Sequence, residues 1–361
     1  MNTLVFGHSN SFKTERIMIK LINEKINNNE SFVFLDPKEE YYNNYYNELM
    51  DKGYKINIIN LRRSINSNSW NPLTLPYKMY SSDKDKSVEL LRNIGYSIFY
   101  DETANDLFWI NASMDLFVGL CLILFKSAKE EAINLFSVNN ILKQEEVFDK
   151  LLNMFDETSS IYLALSEVLL APKETRDSIF TVFRQKLNTY LLYENLSILL
   201  SYTDYDLRSI KDDKVALFIV NKDENKAINN LVNIYLYQVY DVVNNNSLNS
   251  KFNFVLDNIE TINNIHYLND MLSISNSRDY DVLISARDIE WYKKNYDLTN
   301  INTIYNLDMN DSIIKVEKGK EKRKYKNDDY PVIALNKGGR YPKLEKHPKF
   351  LFNLKAYLNS K

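Results

Sequence analysis

Seven short runs of the chain are apolar at nearly every position and rich in β-branched or aromatic residues. They are TLVFG (3–7), SFVFLD (31–36), KINIINL (55–61), KVALFIV (214–220), FNFVLD (252–257), DVLISA (281–286) and INTIYNL (301–307). A strand with one wet face alternates apolar and polar residues, so continuous runs predict strands covered on both faces. Helical periodicity fills most of the gaps, over 14–28, 38–52, 224–244, 265–276 and 288–296. Strand and helix in alternation predict a mostly parallel α/β sheet. Between 84 and 205 the strand runs stop and helical spacing takes over, in SVELLRNIGYSIFY and at 106–126, 144–155, 159–170 and 174–196. Because strand runs resume afterwards, the expected organisation is one α/β domain (1–83 and 206–310) interrupted by an inserted all-α domain (84–205), then a basic tail (311–361). Two tandem domains are the alternative.

Composition narrows the classes. With 361 residues, 45% apolar and 13% aromatic, the chain can fill real cores. A net charge of −3 gives no global polycation, so contact with nucleic acid has to come from a local patch. KVEKGKEKRKYK (315–326), with seven Lys/Arg against two Glu, is the candidate; a solvated loop is its plainer reading. The single cysteine, Cys121, excludes an internal disulfide and a cysteine-clustered zinc site, and fits a reducing cytoplasm. His8, His266 and His347 lack ligand spacing. No signal peptide is evident, and DLFWINASMDLFVGLCLILF (106–125) is cut by Asp106, Asn111 and Asp115, which predicts a buried helix rather than a span. Trp70, Trp109 and the tyrosines at 41, 42, 45 and 46 read as packing residues.

One segment carries candidate chemistry. LVFGHSNSFKT (4–14) follows the order of a phosphate-binding loop: a strand, a turn from Gly7, then Lys13 and Thr14 opening a helix. Such a loop turns backbone N–H groups and a helix N-terminus toward an anion, Lys reaches the terminal phosphates and Ser/Thr holds magnesium. GHSNSFKT fits G-x-x-x-x-G-K-[ST] except at Phe12, where glycine belongs. Positive φ at a phenylalanine costs about 1–2 kcal/mol. Asn10, also often glycine in such loops, tolerates a left-handed backbone best after glycine. Asp36 and Asp257 end strand runs, where open α/β sheets put their sites, or else cap the helices that follow. Lys38 and Glu39 stand in the same first turn.

The order of these features resembles the TraG/TraD-like coupling proteins of type IV secretion and conjugation. After the loop come LDPKEE, the turn KGYKINIINL and SWNPL; DLFWINASMDLFVGL looks like the first long helix of the family's inserted domain. KVALFIV, and then FNFVLDNIETINNIHYLNDMLSISNSRDYDVLISARDIEWYKKNY, look like the strands that follow, so the resemblance covers roughly 1–310. It implies a RecA-like P-loop fold with an inserted all-α domain, ATP and magnesium as ligands, and assembly as a homo- or hetero-oligomeric ring. It also implies type IV secretion channel proteins as partners. Family members usually carry membrane helices ahead of the loop; Gly7 leaves no room for them here, so a cytoplasmic chain, peripheral at the inner face of the membrane through partners, is expected.

The resemblance assigns nucleotide binding to Gly7, Asn10, Ser11, Lys13, Thr14 and Asp36, magnesium to Thr14 and Asp257, and catalysis to Asp257, Asn258 and Arg287. Three of the family's groups are altered. Glycine is Phe12; the glutamate that polarises water is Asn258, an amide that cannot accept a proton as a carboxylate does; the glutamine that senses the terminal phosphate is Arg287. One of a pair of family arginines is Asn276, while Arg278 remains. Phosphoryl transfer rests on positioning and electrostatics, so each loss weakens it directly. Two readings follow: a coupling-protein-like nucleotide-binding protein with weak hydrolysis, or a pseudo-ATPase adaptor without turnover.

Overall fold

The computed structural model describes all residues except 9, 101–105, 145–147, 223, 263, 308–312, 346–350 and 360–361. His347 lies outside the described residues, as does part of the helix expected at 144–155. The chain forms two compact units, Met1–Arg63 with Leu207–Pro342, and Ser64–Asp206 with Lys343–Lys361.

The first unit is built on one nine-stranded sheet. In chain order its strands are β1 (Thr3–Gly7), β2 (Ser31–Leu35), β3 (Lys55–Asn60), β4 (Val215–Val220), β5 (Phe252–Leu256), β6 (Tyr280–Ala286), β7 (Thr303–Leu307), β8 (Ile313–Lys318) and β9 (Glu321–Lys326). Their spatial order is β3-β4-β2-β5-β6-β1-β7-β8-β9. The first seven strands pair with one another in parallel, which requires crossovers, and helices Ile19–Asn27, Glu40–Asp51, Lys226–Asn245, Leu268–Ile274 and Ile289–Asn295 supply five of them. All seven apolar runs of the sequence are these strands. β2, β4, β5 and β6 are buried at every position, the result expected of strands covered on both faces.

One face is sealed by aromatic packing. Phe34 stacks on Phe218 at 4.7 Å, and Tyr41 and Tyr45 stack on Phe34 at 5.6 and 6.3 Å. Tyr41, Tyr42 and Tyr45 are buried, so the tyrosine cluster is core. The register Leu35↔Leu256 and Leu256↔Ile284 puts the next residues, Asp36, Asp257 and Ser285, in one row at the C-terminal edge of the sheet.

Opposite that edge, at the start of β6, Asp281 collects hydrogen bonds from Lys25 Nζ at 2.6 Å and from the Met1 amine, and an ion pair with Lys251 at 2.8 Å. Burial works to raise its pKa, but these partners outweigh it and hold the carboxyl at about 2. A carboxylate with a depressed folded-state pKa contributes stability above its unfolded value near 3.9, and loses it as pH falls toward the folded value. Asp281→Asn is therefore expected to lower unfolding free energy by about 2 kcal/mol at pH 7. Urea titrations of both proteins should converge between pH 4 and pH 2; a pH-independent gap would mean packing, not charge, is at stake.

The basic segment differs from the expected loop. Residues 313–326 fold as the antiparallel hairpin β8–β9 added beyond β7, with Ile313↔Lys326 and Lys318↔Glu321 at its ends and Gly319 in the turn at φ +58°. Five of the six residues of β9 are exposed, which leaves a lysine-rich edge strand.

The second unit is helical. Its longest helix, Phe108–Ser127, is apolar and long enough to cross a membrane by length and composition alone, yet 67% of its most apolar window is buried. It packs against helices Lys84–Phe99, Ser160–Leu169 and Lys173–Leu191. Gly119 permits the close approach: a Cβ there would meet the Leu165 side chain at 2.5 Å. Cys121 is buried on this helix. The stretch 64–83 groups with the helices rather than with the α/β part to which the sequence reading gave it. The backbone N–H of Trp70 donates to the Leu199 carbonyl at 2.8 Å, and the residue is 2% exposed, anchored within the helical unit.

Candidate functional site

The loop after β1 closes as the sequence pattern requires. Ser11 N–H donates to the His8 carbonyl at 3.0 Å, and a π-helical turn, Thr14–Met18, leads into the helix. Gly7 has no alternative residue, because a Cβ would lie 2.5 Å from the Leu307 carbonyl oxygen and 2.6 Å from Ser11 Oγ. Phe12 takes φ +57°, the left-handed conformation that glycine adopts without strain. Its ring is 49% exposed, so the bulk that seemed to block the loop is turned outward. The backbone thus keeps the shape that the missing glycine would have given it.

Lys13 follows and is only 6% exposed. Burial pulls its pKa down, while Asp257 and Glu260 pull it back up. Across the sheet edge, Asp36 and Asp257 end adjacent parallel strands and are fully buried. Asp36 accepts from Tyr42 N–H at 2.8 Å through Oδ2, while Oδ1 has no hydrogen-bond partner. Burial pushes its pKa up to about 8 against that hydrogen bond, and neighbouring Asp257 adds to the rise. Asp257 is also raised by burial, opposed by a hydrogen bond from Ser285 Oγ and by the charge of Lys13. Asn258, at φ +45°, donates Nδ2 to Asp257 Oδ2 at 3.1 Å and its N–H to Ser285 Oγ at 2.9 Å. The amide at 258 is therefore committed to the acid beside it and to Ser285.

These groups surround a cavity of about 190 Å³ whose lining includes Asn10, Phe12, Lys13, Thr14, Lys38, Glu40, Asn258 and Arg287. The sequence reading named most of them; Asp36 and Asp257 lie buried behind it and Gly7 shapes the loop. Glu40, raised by burial and eased by Lys38 at 3.6 Å, was not anticipated. Nor was Glu260, whose carboxylate forms an ion pair with Arg287 Nε at 3.1 Å. Arg287 is thus partnered by Glu260 and not by Asp257. Glu39, expected as an ordinary first-turn residue, is buried at φ +60° and bound by Arg63 and Tyr341. Asn276 and Arg278 instead border a separate polar hollow with Val243 to Ser247.

Does the site suit a phosphate with magnesium? Ser11 Oγ and Asp36 Oδ1 are buried without partners, and Lys13 is a buried cation at the mouth of a helix. That donor set fits an anion with an accompanying cation. Among the described residues no group of three or more His, Cys, Asp or Glu is disposed to hold a metal ion. A magnesium ion here would take most of its ligands from phosphate and water, as that ion commonly does, with Thr14 and Asp257 at its side. The volume is below the ~300 Å³ lower bound of ordinary ligand pockets, which suits phosphates rather than a whole nucleotide.

Solved structures with a similar fold include a bacterial conjugative coupling protein, TrwBdeltaN70 in its unbound form. It is 13% identical at a TM-score of 0.62, covering 97% of this chain and 88% of that one. Plasmid coupling protein TrwB has also been solved with ADP and Mg²⁺, at 14% identity and a TM-score of 0.60 over the same 97% and 88%. VirB4 of Thermoanaerobacter pseudethanolicus is 11% identical at a TM-score of 0.52, covering 90% of this chain and 88% of that one. Identities this low establish a shared fold alone. A search of curated proteins returns no match. A family model described as type IV secretory system conjugative DNA transfer matches residues 2–304.

Proposed function

Because the chain belongs to the type IV secretory system conjugative DNA transfer family, we propose that it is a nucleotide-binding coupling protein that recruits or moves DNA or protein substrate to a secretion channel, with weak hydrolysis. The observation that carries this reading is the buried Lys13, facing Asp257 and Glu260 behind a loop whose Phe12 adopts the glycine-like backbone. Lys13 neutralises the terminal phosphates, the loop from Gly7 to Ser11 wraps them, and Thr14 and Asp257 face the magnesium. ATP, when bound, supplies the anhydride whose cleavage can drive substrate movement. Asp36 and Tyr42 fix the depth of the acidic row. Calorimetric titration of the whole chain with Mg·ATP tests the reading, and no heat up to millimolar ATP would end it.

A specific observation favours the adaptor reading in part: no carboxylate stands at 258, and Asn258 is committed to Asp257 and Ser285. In that case nucleotide controls assembly instead of being turned over. We place the chain in the cytoplasm, at the inner face of the membrane through partner proteins.

The hairpin is the proposed DNA contact. Lys320, Lys324 and Lys326 stand on its exposed turn and edge strand. Replacing the three with glutamine should reduce the slope of log affinity against log salt by about 2–3 units for duplex DNA. An unchanged slope would leave these lysines the simpler duty of keeping other strands off an open sheet edge.

A further inference from the structure

Residues 330–342 run without helix or strand after the hairpin, beyond the stretch that the family model matches, yet they are anchored every few residues. The Tyr330 carbonyl accepts from Arg16 Nη1 at 2.8 Å, and Ile333 N–H donates to the Glu15 carbonyl at 3.1 Å, so the segment grips the turn that follows Lys13. It then crosses the helix Glu40–Asp51. Asn336 N–H donates to Asn44 Oδ1 at 2.8 Å, Gly338 N–H to the Asn43 carbonyl at 3.1 Å, and Tyr42 Oη to the Arg340 carbonyl. Gly339 lies so close to this helix that a Cβ would meet the buried Tyr42 ring at 2.7 Å. Tyr330, Ile333, Leu335 and Tyr341 pack against the core of the unit. A segment with this many fixed points is a strap.

Its last anchor reaches the wall of the cavity. Glu39 takes φ +60°, a left-handed backbone that costs a glutamate strain. Its neighbours Lys38 and Glu40 both line the cavity, and its own N–H donates to the Asp36 carbonyl at 3.1 Å. The Glu39 carboxylate, 5% exposed, accepts from Tyr341 Oη and from Arg63 Nη2. The Tyr341 ring packs on Tyr42 at 4.9 Å, and the Arg63 guanidinium stands 5.3 Å from its centre. Hydrogen bonds to an ionised carboxylate are among the strong ones, so this pair offsets the strain at 39. Without it the turn relaxes and carries Lys38 and Glu40 with it.

We propose that residues 330–342 are a working part of the nucleotide site: through Tyr341 on Glu39, the strap holds the Asp36–Glu40 turn in the strained form that presents Lys38 and Glu40 to the cavity. Tyr341 and Arg63 are positioning residues and touch no ligand. At its other end the strap steadies Glu15, also on the cavity wall, through a main-chain bond. The inference rests on the nucleotide-binding reading above.

The test is calorimetric binding of Mg·ATP to the whole chain and to Tyr341→Phe, Glu39→Gly and the double variant, with a denaturant melt beside each. Tyr341→Phe keeps the ring and deletes only the donor. It should weaken Mg·ATP binding about 3- to 10-fold, because a site whose binding form is only partly populated loses affinity by that fraction. Glycine adopts φ +60° without strain, so in the Glu39→Gly background the same change should alter affinity less than about 2-fold. A loss confined to the melts, with affinity untouched, overturns the proposal and leaves the strap a packing element. An equal loss of affinity in both backgrounds overturns it too, and in either case the nucleotide site stands. Absence of Mg·ATP binding to the unaltered chain overturns both.

Discussion

Lys13→Ala is expected to weaken Mg·ATP binding by about 10- to 100-fold, with the protein still folded. The buried ammonium is the one group of the loop that brings a full charge to the terminal phosphates, and a charge-assisted contact of this kind is worth about 1.5–3 kcal/mol. Its loss also leaves Asp257, buried just behind the cavity, without the nearest charge that offsets it, so the pocket itself turns against an anion. Stability should move little in either direction. The charge of Lys13 is opposed by its own burial and aided by two carboxylates, and alanine removes the cost together with the gain. Calorimetry beside a denaturant melt separates the two effects. A folded Lys13→Ala chain that binds ATP as the unaltered one does would make Lys13 a structural counter-ion of Asp257, and the loop a relic.

The parts of the fold that were legible in the sequence are those where burial alone decides. β2, β4, β5 and β6 are apolar throughout because both faces are covered, and no alternating pattern competes with that signal. β8 and β9 were illegible for the opposite reason: an edge strand with three lysines, an arginine and a glutamate among its six residues looks like a solvated loop, since charge on an edge strand protects it without marking it. The helix Leu135–Ile141 is too short for its periodicity to stand out. At the site, spacing located Lys13, Asp36 and Asp257, because loop and strand ends have fixed lengths. It could not give the direction of the Phe12 ring, which depends on φ at a single residue, nor the partner of Arg287. Glu260 and Arg287 are 27 residues apart in sequence and meet only because β5 and β6 are neighbours and each ends in a turn toward the same side. An extra carboxylate three places beyond the acid, with an arginine replacing a glutamine one strand later, was the signal that would have joined them.

Asn258→Glu puts the weak-hydrolysis reading to its sharpest trial, with an expected rise in ATP turnover of about 100-fold, the usual worth of one preorganised catalytic group. The side chain at 258 already lines the cavity, and its neighbours are held in place: Asp257 by Ser285 Oγ, and the 258 backbone by the same hydroxyl. A glutamate there gains a proton-accepting group within reach of an attacking water, where the amide offers none. Two costs accompany it. The left-handed backbone at φ +45° suits asparagine better than glutamate by about 1 kcal/mol, a strain that this chain already sustains at Glu39. A further acid would also join Asp36 and Asp257 in a region where burial already raises both, so the variant should be less stable at pH 8 without magnesium and regain stability when magnesium is added. Turnover assays and magnesium-dependent melts measure the two consequences independently. If the variant binds Mg·ATP and regains stability with magnesium but turns over no faster, then the missing carboxylate is not what silences the site. The hold of Arg287 on Glu260 and the exposed Phe12 would then be properties of a protein kept for its nucleotide-bound shape, and the adaptor reading would take the place of the hydrolase one.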